Sequence, residues 1–299
     1  MIYQHLSEIL EIARKQKSKK LAVAAAGEIH VLQAVLNARD ENIIEPILVG
    51  DSNKILDLAE KEDLSINDVP VINECDPGKA SQLAVNLVHK GEASILMKGM
   101  VPTALFLKAV LDRKIGLRKS NLLSHTALFE IPGHPKLIAV TDAAINVSPG
   151  TAEKVHIIEN AVEVFHRLGI KEPKVAILGP IETINPKIQS TVEAAELKEL
   201  FNQGLITGCL LDGPLAMDNA VSPEAAAQKG IGGPVAGDAD ILLTPDLNCG
   251  NILYKSFIFM AKGVSAAIIM GAQVPIVLTS RADSKQSKLM SIALAAALD

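Results

Sequence analysis

Short apolar runs alternate along this chain with longer stretches whose apolar residues recur at helical spacing. That alternation is the pattern of βα units, in which buried strands of a mostly parallel sheet are joined by amphipathic helices. Strands are predicted at LAVAAA from Leu21, PILVG from Pro46, PVINE from Pro70 and SILMKG from Ser94. More follow at KLIAVTDAA from Lys136, KVAILGP from Lys174, CLLDGP from Cys209, ILLTPDL from Ile241, AAIIMG from Ala266 and PIVLTS from Pro275. Helices are predicted over PGKASQLAVNLVHKG and over PGTAEKVHIIENAVEVFHRLGI, the second closed by Gly169, and over the C-terminal SKQSKLMSIALAAAL. The runs LLSHTALFEI and KLIAVTDAA are joined by PGHP with no helical pattern between them, which predicts an antiparallel hairpin and a mixed sheet.

A strand ends in INVSPG near Ile145 to Gly150, and the last strand ends near Ser280. These breaks predict two α/β domains. The first comprises 1–145 plus 281–299, with the C-terminal helix returning to it, and the second comprises 146–280. The length of 299 residues agrees with two domains at roughly 150 residues each.

Composition narrows the classes. Hydrophobic residues at 48% and charged residues at 21% exclude disorder, collagen and disulfide scaffolds. Aromatic content of 3% without Trp, and a net charge of −5, argue against base-stacking platforms and polyanion-binding surfaces, so no nucleic-acid partner is expected. The basic run RKQKSKK reads as a solvated helix end. Cys75, Cys209 and Cys249 are far apart and lack zinc spacing, which fits a reducing compartment. No signal-peptide order opens the chain. The uncharged stretch Gly263 to Ser280 divides better into two strands than into a membrane helix. A soluble cytoplasmic protein without a membrane partner is the expectation.

Ligands of open α/β sheets bind beyond the carboxyl ends of the strands, so the residues that follow each apolar run matter. Lys98-Gly99, Asp142, Lys187, Asp212-Gly213, Asp246 with Asn248, and Ser280-Arg281 all follow such runs. The guanidinium of Arg281 suits a phosphate, and the helix that starts after it adds N–H groups. A surface arginine beside a helix cap reads equally well. Asp283 is a candidate general base, although an N-cap of the C-terminal helix explains it too. The segment DLNCGN offers Asn248 or Asn251 as a cap and Gly250 for close backbone approach. The segment MKGMVPT opens a helix at Thr103 that also carries Lys108.

Several patterns lead elsewhere. GIGGPVAG stands between a helix and a strand, the wrong context for a dinucleotide loop. Asp238, Asp240 and Asp246 lie at opposite ends of a predicted strand, so no metal site is expected. His125 and His134 read as satisfied structural histidines, and Cys249 as a buried, inert thiol.

Five runs together carry a resemblance: ILMKGMVPTALFLKAVL, LLSHTALFEIPGHPKLIAVTDAAINVSPG, LDGPLAMDNAVSPEAA, VAGDADILLTPDLNCGNILYKSF and VPIVLTSRADS. In order and spacing the chain resembles the phosphate acetyl/butyryltransferase family, with the butyryl branch the closer match. The resemblance is weakest before about Gly91. It implies reversible acyl transfer between coenzyme A and phosphate, in which the coenzyme A thiol attacks the acyl-phosphate carbonyl directly in a ternary complex. It implies a fold like that of isocitrate and isopropylmalate dehydrogenases, with the active site in an interdomain cleft. It also implies a homodimer or larger oligomer that uses coenzyme A as substrate and no metal or other cofactor.

By the same resemblance Arg281 binds the phosphoryl group and Ser280 hydrogen-bonds near the reacting centre. Thr103 and Lys108 lie near the phosphate end, while Asp142, Asn146, Lys187, Asn248, Gly250 and Asn251 fall in other cleft-lining motifs. One position departs from the pattern. The acetyl branch carries an acidic base seven residues after the serine, where this chain has Ser287. Either Asp283 takes over, or base catalysis is weaker or supplied otherwise. A free thiol already has a few per cent thiolate at neutral pH, so the expectation is that Asp283 assists and Arg281 dominates. The alternatives are a phosphate acetyltransferase, a non-catalytic coenzyme A or acyl-phosphate binding protein, and a metal- and NAD-dependent dehydrogenase. The last lacks the arginine and carboxylate clusters that its chemistry needs.

Overall fold

The computed structural model describes residues 3–280 and 283–298. The chain divides into two compact units: a flanking unit, Leu6–Ser120 with Val264–Asp299, and a middle unit, Met1–His5 with Asn121–Gly263. In chain order the flanking unit opens with α1 (Leu6–Lys15), β1 (Lys19–Ala24), α2 (Ile29–Asp40), β2 (Ile44–Gly50) and α3 (Ser52–Lys61). It continues with β3 (Val71–Asn73), α4 (Pro77–His89), β4 (Ile95–Lys98) and α5 (Thr103–Val110). The middle unit contributes β5 (Ser124–Glu130), β6 (Ile138–Thr141), α6 (Thr151–Arg167), β7 (Lys174–Leu178) and α7 (Gln189–Asn202). After these come β8 (Leu210–Leu215), α8 (Met217–Val221), α9 (Pro223–Gln228), β9 (Ile241–Leu243) and α10 (Leu247–Lys255), which runs into a π-helical turn, Ser256–Met260. The chain then returns to the flanking unit with β10 (Val264–Met270), β11 (Ile276–Val277) and α11 (Lys285–Leu298).

Every run expected to be a strand is one, and the Gly263–Ser280 stretch does split into β10 and β11. The strands of the flanking unit lie in the order β3-β2-β1-β4-β11-β10, parallel except that β10 runs against β11. Those of the middle unit lie in the order β5-β6-β9-β7-β8, parallel except for the β5–β6 hairpin. No helix among the described residues is long and apolar enough to cross a membrane.

The division differs from the expected 145/146 and 280/281 boundaries. Strand β6 lies parallel to β9, with Ala139 beside Ile241, so the hairpin packs with the strands that follow it. Strand β11 lies parallel to β4, with Ile276 beside Leu96, so the last two strands join the first segment along with the C-terminal helix. Pairing partners distant in sequence decide this, and apolar periodicity does not encode them. Strand β8 matches the expected CLLDGP run, so Asp212 and Gly213, which follow its apolar CLL, lie within the strand.

Local signals explain most helix ends. Asp51 and Asp76 accept the Lys54 and Lys79 amides as N-caps of α3 and α4, and Glu28 caps α2 through His30 and Val31. Gly169 follows α6 at φ +85°, the left-handed position that glycine occupies without strain. The last ten residues of α11 carry no charge, and 290–298 are buried on all sides, as an uncharged helical stretch of this kind must be. At the amino ends of β6, β7 and β9, buried Lys136 meets Asp238 and Asp240, while Lys174 pairs with Asp238. Burial would raise the Asp238 carboxyl, but the hydrogen bonds from Lys136 and Lys174 hold it below the usual carboxylate range. These carboxylates therefore serve an ion-pair cluster.

Candidate functional site

In the flanking unit the chain builds outward from β1 through β2 to β3, then crosses back to place β4 on the other side of β1. That reversal makes the carboxyl ends of β1 and β4 a topological switch point, where open α/β sheets bind ligands. Strand β11 lies next to β4 and parallel to it, so the segment after Val277 leaves from the same edge. Three connections leave from that edge: 25–28, 99–102 and the one that begins at Leu278.

The first two connections are locked together. Gly99 N–H donates to Ala24 O at 2.8 Å and Met100 N–H to Ala25 O at 2.7 Å. A Cβ on Gly99 would stand 2.4 Å from the Ala25 carbonyl oxygen, so only glycine permits the approach. Lys98 turns back on this loop, its Nζ donating to the carbonyls of Gly99 at 3.1 Å and Val101 at 3.2 Å. Thr103, half-buried, opens α5.

The third connection holds the Ser280 turn. Ser280 is exposed; its N–H donates to Asp283 Oδ2 at 2.6 Å, and the Asp283 N–H returns to Ser280 O at 3.2 Å. Arg281 lies outside the described residues. Asp283 is not the N-cap of α11: Ser284 is, its Oγ accepting the Ser287 N–H at 3.0 Å. Asp283 instead closes the turn on Ser280. Ser287, at the position where the acetyl branch is acidic, is buried, and its hydroxyl accepts the Ser265 N–H of β10 at 3.2 Å. One turn on, Ser291 accepts the Ala267 N–H at 2.9 Å. The Ser287 side chain is thus committed to strand backbone.

Lys288, absent from the expected site, is buried, and its Nζ donates to the Asp283 carbonyl at 2.6 Å. Burial pulls its ammonium below the usual lysine range, with Asp283 and Glu28 acting in the opposite direction. The signal that could have found it is a lysine at the start of the uncharged run of the C-terminal helix. Lys108 is exposed and lines a hollow of about 320 Å³ with Asp76, Lys79 and Gln82, between α4 and α5. No described residue of the Ser280 turn lines that hollow.

In the middle unit, four of the expected residues gather in one knot beyond β6. Asp142 is buried; its Oδ1 accepts the amides of Ala144 and Ile145, and its Oδ2 accepts the backbone and side-chain N–H of Asn146. The Asn146 side chain also donates to Leu123 O at 2.9 Å. Gly250 sits in α10 against this loop, where a Cβ would stand 2.2 Å from the Asp142 carbonyl oxygen. Asn251 donates to Ala143 O at 3.3 Å. The close approach expected of Gly250 is therefore to protein backbone. Neither Asn248 nor Asn251 caps α10; Asp246 does, accepting the Cys249 N–H at 2.9 Å. Asn248 and Lys187 are exposed.

Beside the knot, at the carboxyl ends of β7 and β9, lies a cavity of about 900 Å³. The amino-terminal ends of α6, α7 and α10 border it, and Leu178, Met217, Ile252 and Leu253 supply apolar walls. Its volume falls in the range of small-molecule sites. Cys249 lines it and is exposed rather than buried as expected; burial of the sulfur and nearby Asp246 push its thiol up, against nucleophilic use. Cys209 is buried, with its thiol pushed up to about 11 by burial. His125 Nδ1 and His134 Nε2 are buried without hydrogen-bond partners, so neither is the satisfied histidine expected. Burial lowers the basicity of both, and Asp142 partly opposes this at His125.

Both α/β units gather polar loops beyond the carboxyl ends of their strands, the place where open α/β sheets bind ligands, and comparison with known proteins identifies the family. The chain belongs to the phosphate acetyl/butaryl transferase family, whose model matches residues 77–296, and is an acyltransferase. It is 45% identical to the phosphate butyryltransferase of Clostridium beijerinckii, over 98% of this chain and 97% of that protein. It is 46% identical to the phosphate acetyltransferase of Thermotoga maritima, over 97% of this chain and 98% of that one. Among solved structures, a branched-chain phosphotransacylase from Enterococcus faecalis V583 superimposes with a TM-score of 0.84 at 37% identity, covering 94% of this chain and 98% of that chain.

Proposed function

We propose that this protein transfers a short acyl group reversibly between coenzyme A and inorganic phosphate, with butyryl or branched acyl chains preferred. The full-length relationship to phosphate butyryltransferases carries the reading. In the acyl-phosphate direction the thiol sulfur attacks the acyl carbonyl, the carbon–oxygen bond to phosphate breaks, and the thiol proton is released. In reverse, a phosphate oxygen attacks the thioester and the thiolate leaves. Arg281 binds the phosphoryl group and offsets the charge that develops on it. Ser280 hydrogen-bonds beside the reacting centre, and Asp283 holds the turn and assists proton removal.

Thr103 and Lys108 in the flanking unit, and Lys187 and Asn248 in the middle unit, are assigned to substrate contact. Asp142, Asn146, Gly250 and Asn251 support substrate loops through the hydrogen bonds and close packing already described. No cofactor is assigned, coenzyme A being a substrate. The fold is assigned to the isocitrate/isopropylmalate dehydrogenase type, and the working form to a cytoplasmic homodimer or larger oligomer. Exposed Ile252, Phe259 and Met260 in the middle unit support self-association.

Thiol release from butyryl-CoA, with and without phosphate and against an enzyme-only blank for the three cysteines, tests the reading. Phosphate-dependent release that is faster with butyryl-CoA than with acetyl-CoA is expected. The 46% identity to a phosphate acetyltransferase favours acetyl transfer as the second reading, and a reversed preference would establish it. Absence of release with every acyl donor would leave a binding protein.

A further inference from the structure

The Ser280 turn closes on itself through two hydrogen bonds between Ser280 and Asp283. What fixes its far foot is Lys288, one turn into α11. Its Nζ donates to the carbonyl of the same Asp283 at 2.6 Å. Lys288 is itself held. Its neighbour Ser287 bonds the β10 backbone, and its own amide donates to Ser284 O at 3.1 Å. Lys288 is only 2% exposed, and among the described residues its Nζ donates to a carbonyl rather than to a carboxylate. It lies within electrostatic reach of Glu28, the cap of α2 on the 25–28 connection.

Stability alone does not call for a charge there. A methionine of similar length would fill the slot, and exchanging buried charges for apolar groups is often neutral or stabilising. We propose that Lys288 is a positioning residue for acyl transfer, its buried ammonium anchoring the Asp283 end of the Ser280 turn at the switch-point edge of the flanking unit. The assignment rests on the transferase reading for its kinetic consequence. Its structural consequence, an anchored turn, stands apart from that reading.

The test compares the full-length protein with K288M and K288Q. In K288M, kcat/KM for phosphate is expected to fall about 10- to 100-fold, the scale of a small misplacement of reacting groups. KM for butyryl-CoA and the thermal midpoint are expected to hold or, for the midpoint, to rise. K288Q keeps a donor for the Asp283 carbonyl and is expected to recover part of the loss; it also serves if K288M fails to fold. Amide hydrogen exchange over 279–287 is measured on the same proteins without substrate and is expected to quicken about tenfold or more in K288M. Exchange unchanged in folded K288M overturns the inference whether or not the parent turns over. Exchange quickened while the parent releases no thiol would sustain the anchor and sink the transferase reading. Phosphate kinetics unchanged in a variant with quickened exchange would overturn the catalytic consequence and leave Lys288 a structural anchor.

Discussion

The two units organise the polar loops beyond their strands in opposite ways. In the middle unit the hub is an anion: Asp142 accepts four hydrogen bonds from Ala144, Ile145 and Asn146, and Gly250 packs directly on its backbone. In the flanking unit the hub is a cation: Lys288 gives a hydrogen bond to one carbonyl of a turn whose remaining closure comes from Asp283. A saturated carboxylate makes a loop that is stable by itself and costly to disturb. A buried ammonium on a carbonyl contributes orientation more than stability. Damage to the first hub should therefore register as unfolding, and damage to the second as lost turnover.

Changes that separate the two hubs sharpen this contrast. The largest effect on stability is expected from G250A, because a Cβ 2.2 Å from the Asp142 carbonyl oxygen forces backbone apart. A loss of about 3 kcal/mol in urea unfolding is expected, at the upper end for overpacking. D142A should follow at about 2–3 kcal/mol, since it strands buried N–H groups that a charged acceptor had satisfied. Were D142A to unfold like the parent while turning over poorly, the anion hub would have to be read as a substrate contact instead.

On the proposed reading, the kinetic effects centre on the Ser280 turn. R281A is expected to lower kcat/KM more than D283A does, and the reverse order would make proton removal the dominant contribution. S287A should cost about 1 kcal/mol, the worth of one buried hydrogen bond, with kcat nearly unchanged. S287D should lower stability further without gain in rate, since the side chain at this position serves the Ser265 amide. A faster S287D enzyme would break that argument.

The smallest effect concerns pH. Buried His125 has its folded pKa depressed, chiefly by burial, so the unfolded chain binds the proton more readily. Stability is therefore complete above the unfolded value of about 6.5 and falls as pH drops below it. In H125F, beside Tyr254, the thermal midpoint should lose part of its acid dependence below about pH 6.5. An identical slope in parent and variant would exclude His125 as its source.

The strands were legible in the sequence because each is a short apolar run bounded by Gly, Pro or Asp, and burial on both faces requires such runs. The hairpin showed through PGHP. Helix boundaries were less legible where two polar residues compete for one cap. At α10 and α11, Asp246 and Ser284 take that place rather than Asn248, Asn251 or Asp283. Of the expected site residues, the sequence marked those that follow strands, but it did not separate groups held by protein from groups left for a ligand. Asp142 and Lys187 look alike as polar residues after an apolar run; one is buried in four hydrogen bonds and the other is exposed.

By itself, then, the sequence determined the α/β class, the strands, the mixed sheet and the family, because these rest on periodicity and on motifs contiguous along the chain. The tertiary structure decided where the units divide, since β6 pairs with β9 and β11 with β4 across long stretches of intervening sequence. It also decided what Ser287, Gly250 and Lys288 do. Each is defined by a partner brought near only by folding: a strand amide, a loop carbonyl and a turn carbonyl. Hydrogen bonding and close packing act over a few ångströms in space, and no pattern along the chain records that distance.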